Sequence, residues 1–86
     1  MKYEIQPTTK FKKDLRLCKS RGYDLKLIEQ IIEKLANGEK LEEKNKDHEL
    51  HGNWVGYREC HIQPDWLLVY KYMEKELILY LTRTGT

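Results

Sequence analysis

Six residues that can move protons or bind anions stand in the second half of the chain: His48, His51, Arg58, His61, Asp65 and Arg83, with Trp54, Tyr57, Trp66 and Tyr70 among them. An imidazole titrates at about pH 6.5, so a histidine can take a proton and return it within one catalytic cycle. A guanidinium keeps its charge and forks onto phosphate oxygens. An RNA phosphodiester can be cut by its own 2′-hydroxyl, given a base for the hydroxyl proton, a cation to steady the phosphorane and an acid for the departing oxygen. The cluster contains every one of these types.

Each residue also has a structural alternative that its type and spacing leave open. His61 sits at a strand end, where a histidine is often a solvated or hydrogen-bonded surface group, and Asp65 after Pro64 is an ordinary turn residue. His48 follows a charged loop. Arg58 and Arg83, on strands, could be cross-strand partners of Glu59 or Glu76. His51 has only a weak claim. His48, His51, Cys60, His61 and Asp65 are donor types that suit zinc, but there is no HExxH and no paired CxxC, and a three-residue histidine spacing in a loop recurs by chance. No metal and no other cofactor is expected. Neither a glycine-rich phosphate loop nor a GxSxG elbow occurs, which argues against nucleotide and serine hydrolysis.

These residues need elements to hold them. Tyr3 and Ile5 alternate with Lys2, Glu4 and Gln6, the period of a strand that ends at Pro7. Thr8 or Thr9 can cap a helix running to about Ser20, with Phe11, Leu15 and Cys18 at helical spacing. Asp24 offers a second cap; Ile28, Ile31, Ile32 and Leu35 form the next apolar stripe, closed by Asn37 and Gly38. Residues 39–47 are nearly all polar and read as a solvated loop. Trp54 to Ile62 reads as a strand, with a bulge or close approach at Gly56. Trp66 to Met73 and Glu76 to Arg83 follow, the latter with Leu77, Leu79 and Leu81 on one face. The order β-α-α-β-β-β implies an α+β fold in which an N-terminal helical hairpin covers an antiparallel sheet.

Eighty-six residues suit a single domain spanning 1–86, and 40% hydrophobic with 35% charged residues is a globular balance. The longest apolar run, Trp66 to Tyr70, is far too short to cross a bilayer, and no secretory leader opens the chain. Cys18 and Cys60 read as buried thiols in a reducing compartment, the cytoplasm, and no membrane partner is expected. The net charge is only +2, yet Lys10, Lys12, Lys13, Arg16, Lys19, Arg21 and Lys26 face only Asp14 and Asp24. On a helix, Lys12, Lys13, Arg16 and Lys19 are either a solvated face or a cradle for RNA phosphates. Of the aromatics, Trp66 is the candidate for stacking on a base.

The block from Lys46 to Lys71, KDHELHGNWVGYRECHIQPDWLLVYK, with its H-x-x-P-D-W, and the closing Leu81–Thr86, LTRTGT, resemble the YafQ toxins of the RelE/ParE-like superfamily. The likeness extends over nearly the whole length, because the preceding strand and helices match the RelE-like order. It implies the toxin of a type II toxin–antitoxin pair, a metal-independent endoribonuclease that cuts messenger RNA on the ribosome, beside its ribosomal RNA, until a cognate antitoxin covers the cleft. By position, His48, His61 and Asp65 match acid/base residues, Arg83 the phosphate-stabilising one, and Trp66 a neighbour that shapes the site. Relatives of this type continue past R-T-G-T with a further histidine and a short apolar tail, whereas this sequence stops at Thr86. Two alternatives accompany the reading: a weak or inactive RelE-like module that binds antitoxin or RNA, and a gyrase-inhibiting ParE-like toxin.

Overall fold

The computed structural model describes residues 2–86; Met1, the first residue of the alternating opening run, lies outside them. Strand β1 (Glu4–Pro7) leads into helices α1 (Thr9–Ser20) and α2 (Leu25–Ala36). Thr8 caps α1 by accepting from the Phe11 N–H, and Asp24 caps α2 by accepting from the Lys26 N–H. Each cap satisfies a backbone donor that the first helical turn leaves unpaired. Asn37 and Gly38, the latter at φ +76°, close α2 as the sequence suggests.

Four more strands follow: β2 (His48–Glu49), β3 (Arg58–Gln63), β4 (Trp66–Met73) and β5 (Ile78–Gly85). The sheet order is β1-β5-β4-β3-β2. β3, β4 and β5 pair antiparallel in sequence order, as expected; the short β2, not expected from sequence, pairs antiparallel with β3, and β1 lies parallel to β5, so the sheet is mixed. A four-residue strand with a period of two carries no information about its direction. The expected strand from Trp54 also starts later, at Arg58. Gly52 and Gly56 take φ of +65° and +92°, and residues 52–54 form a 3₁₀ turn that bulges out between β2 and β3. Leu77 is not on the inward face of β5 but in the preceding turn, at φ +54° and half exposed.

One sheet face is covered by the helices. Cys60, Leu68, Tyr70, Leu79 and Leu81 are buried there against Phe11, Cys18, Ile28 and Leu35. Alternation along the strands then puts Glu59, His61, Leu67, Val69 and Arg83 on the opposite, open face. Both cysteines are buried and free, and burial pushes the Cys60 thiol up to about 12. No described helix is long and apolar enough to cross a membrane.

β1 stops early. Its last pairing is Pro7 with Leu81, on an edge where a residue without an N–H is tolerated. Thr8 then turns the chain: its N–H donates to the Leu81 carbonyl and its hydroxyl to the Thr82 carbonyl. The ladder between β4 and β5 shifts register at this point, Tyr70 facing Leu81 and Val69 facing Arg83. The result is a stretch of β5, Arg83 to Gly85, whose outer edge no strand among the described residues covers.

Candidate active site

Arg83 occupies that uncovered edge. Asp14, one turn into α1, reaches across it: Arg83 Nε donates to Asp14 Oδ2 at 2.7 Å and Nη2 to Oδ1 at 3.2 Å, while the Thr84 N–H donates to Oδ2 at 3.2 Å. The fork fixes the guanidinium plane, and the remaining N–H groups stay free for a second anion. The Asp14 side chain is only 16% exposed, against 48% for Arg83. Arg83 beside it, helped by the Thr84 N–H, holds the Asp14 carboxyl below the usual carboxylate range in spite of burial. The partner of Arg83 is thus Asp14 and not Glu59 or Glu76, the two considered from sequence. Arg58 also pairs elsewhere, with Asp47 at 3.4 Å and Glu49 at 3.8 Å. Asp47 accepts a 2.5 Å hydrogen bond from the buried Tyr70 hydroxyl as well, so this group ties the loop before β2 to β4.

The two histidines are set by the same device. His61 Nδ1 lies 3.0 Å from the Pro64 carbonyl, and His48 Nδ1 lies 2.7 Å from the Lys46 carbonyl. A carbonyl only accepts, so each Nδ1 carries a proton and Nε2 is left for chemistry. His48 Nε2 stands 3.5 Å from Glu59 Oε1, a contact that becomes an ion pair when the ring takes its second proton. His48 faces Glu59, Glu59 faces Val69 and Val69 faces Arg83, so one row crosses four strands. His61 is two residues along β3 on the same face, which from strand spacings places its backbone roughly 12 Å from that of Arg83. Asp65 is exposed in the β3–β4 turn next to Pro64. A cavity of about 360 Å³ opens over the Glu59–Val69–Arg83 stretch of this row, lined by Asp14, Trp54, Glu59, Val69 and Arg83 among others; His48 and His61 are not part of its lining.

A family model described as "Bacterial toxin of type II toxin-antitoxin system, YafQ" matches residues 3–86. The chain belongs to the YafQ toxin family. It is 37% identical over 84 residues to the mRNA interferase toxin YafQ of Escherichia coli K12, covering 96% of this chain and 89% of that one. Among solved structures it is similar to the E. coli DinJ–YafQ toxin–antitoxin complex (34% identity, 100% of this chain and 93% of that chain, TM-score 0.88). It is also similar to a metal-bound toxin from Helicobacter pylori (42% identity, 98% and 93%, TM-score 0.92). In this YafQ-family chain no three His, Cys, Asp or Glu side chains gather to hold a metal ion among the described residues.

For a YafQ-type fold, the sites expected from sequence divide three ways. His48, His61 and Arg83 share the open face, and Asp65 is exposed in the turn after β3. Trp66 does not: it is 1% exposed, its ring lies edge-on to Tyr23, and its Nε1 donates to the Thr84 hydroxyl at 2.9 Å. A ring buried on both faces has none to offer a base, so stacking by Trp66 is ruled out; its contact is with the residue after Arg83. Lys12, Lys13, Arg16 and Lys19 are all exposed on α1. The two acids among these cations are engaged, Asp14 by Arg83 and Asp24 by the α2 N-terminus. From sequence, Asp14 and Glu59 carried no site role, Glu59 entering only as a possible ion-pair partner of Arg58 or Arg83, and Trp54 read as core rather than as a stacking platform. Asp14 had one signal, a lone acid amid the cations of α1.

Proposed function

We propose that this chain, as a single toxin domain over residues 1–86, cleaves messenger RNA on the ribosome in the cytoplasm without a metal, by attack of a 2′-hydroxyl on the adjacent phosphate. The observation that carries the reading is the row from His48 through Glu59 to Arg83 on the open face, in a chain related to an mRNA interferase toxin. His61 Nε2 takes the 2′-hydroxyl proton. The 2′-oxygen bonds to phosphorus, and Arg83, aimed by Asp14, bears the charge of the phosphorane. His48 Nε2 hands a proton to the 5′-oxygen as its bond to phosphorus breaks, and Glu59 keeps that ring in place. Asp65 supplies a second proton-exchanging group beside His61. The products are a 2′,3′-cyclic phosphate and a 5′-hydroxyl. Lys12, Lys13, Arg16 and Lys19 hold flanking phosphates in a salt-dependent way. By likeness to the DinJ–YafQ pair, the inhibitor is a cognate antitoxin protein.

The test is cleavage of a defined message on purified translating ribosomes, with end-group analysis. Wild-type protein is expected to leave cyclic phosphate or 3′-phosphate ends at a rate that EDTA, added at a level the ribosomes survive, does not change. Arg83→Ala is expected to be slower by ~100-fold or more with its fold intact, the scale of losing one transition-state donor. Strict dependence on zinc or another added transition metal, or full activity of Arg83→Ala, overturns the mechanism.

A further inference from the structure

Trp54 is 43% exposed, although it is one of the two largest side chains in the protein. The 3₁₀ turn at residues 52–54 lifts it out of the sheet, and the loop is pinned beneath it. The Leu50 N–H donates to the Tyr57 carbonyl at 2.9 Å, and the Tyr57 N–H to the Trp54 carbonyl at 3.0 Å. The indole is held at an angle. Its centroid lies 5.3 Å from that of Tyr57 in an edge-on contact, and the Lys71 ammonium sits 5.1 Å from the centre of the Tyr57 ring. Trp54 and Arg83 line the same cavity, together with the apolar Leu67 and Val69 and the carboxylates of Asp14, already forked onto Arg83, and Glu59.

At about 360 Å³ this space falls in the range of small-molecule sites, and its lining pairs an exposed aromatic side chain with a guanidinium. A nucleotide has that same division, a flat base joined to an anion. We propose that Trp54 is a base-stacking subsite, receiving a nucleobase of the RNA whose phosphate lies on Arg83. It fills the role that the burial of Trp66 leaves vacant. Stacking is tolerant of base identity, so the subsite contributes affinity and register rather than a strict sequence code. The proposal rests on the RNA-cleaving reading above.

The probe is a trinucleotide with every ribose 2′-O-methylated, which removes the attacking hydroxyl, compared with an abasic strand of equal charge. Indole fluorescence is expected to be quenched by the base-bearing strand and not by the abasic one. Trp54→Leu is expected to lose the quench and bind about 10- to 100-fold more weakly, while Trp54→Phe recovers most of the affinity. Equal binding of the two strands, equal binding by Trp54→Leu and wild type, or no binding of the base-bearing strand overturns the subsite. If Trp54→Leu keeps RNA affinity but loses antitoxin affinity, the ring is a protein contact and the subsite is again overturned. Cleavage separates the two ideas: a quench without wild-type cleavage sinks the catalytic reading alone, and Arg83-dependent cleavage that is normal in Trp54→Leu sinks the subsite alone.

Discussion

The phosphate site proposed at Arg83 depends on a residue that has no part in the proposed chemistry. Asp14 fixes the guanidinium of Arg83 by two hydrogen bonds and fastens the next peptide by a third. Asp14→Asn keeps an acceptor for the Thr84 N–H but loses the charged fork, so cleavage is expected to fall roughly 10- to 100-fold with substrate affinity changed far less, because misaiming costs rate. The same substitution has a pH signature. The folded-state carboxyl titrates below its ordinary value, so its stabilising contribution is complete above about pH 4 and is lost as the pH falls through the lowered folded-state value. The stability gap between wild type and Asp14→Asn, measured by urea denaturation, should therefore be full at neutral pH and narrow as the pH drops below about 4. A gap that widens toward acid would mean that Asp14 is not held as a charged partner. From sequence, Arg83, His48 and His61 were legible through their types and the family block. Asp14 was not, because nothing in a helix pattern says which strand it will meet.

At the level of elements, the last turn of β5 is held by a threonine used in both directions. The Thr84 hydroxyl accepts from Trp66 Nε1 and donates to the Leu67 carbonyl at 2.7 Å. Thr84→Val keeps the shape but strands the buried indole N–H and removes a donor from the part-buried Leu67 carbonyl, so a loss of about 1–3 kcal/mol of stability is expected by urea or thermal unfolding. A loss below ~0.5 kcal/mol would show that water reaches the indole N–H. The helices were readable because caps and stripes are local: Thr8, Asp24, Asn37 and Gly38 act within a turn of where they stand. The strands were less so. Trp54 and Val55 have strand-forming side chains, but Gly52 and Gly56 adopt positive φ and turn the segment outward. Both residues of the short β2 are exposed, so it has no pattern to detect. The parallel seat of β1 beside β5 is a long-range choice, settled by packing.

Over the whole molecule, the helices and the open face divide the work. The helical hairpin buries the inner face of the sheet and, through Thr8 and Asp14, fixes the strand that carries Arg83. Its outer surface presents Lys12, Lys13, Arg16 and Lys19. The other face of the sheet carries His48, His61 and Arg83 and is the one proposed for the substrate, with Trp54 and Arg83 lining one cavity. The early stop of β1 at Pro7 is what opens the β5 edge to Asp14, so a local backbone rule sets the geometry of the site. A structure of this protein bound to a short 2′-O-methylated RNA tests that arrangement most directly. One phosphate is expected on the open face, within about 3 Å of Arg83 and facing Nε2 of His61. RNA seated only along α1, with the open face empty, would contradict it.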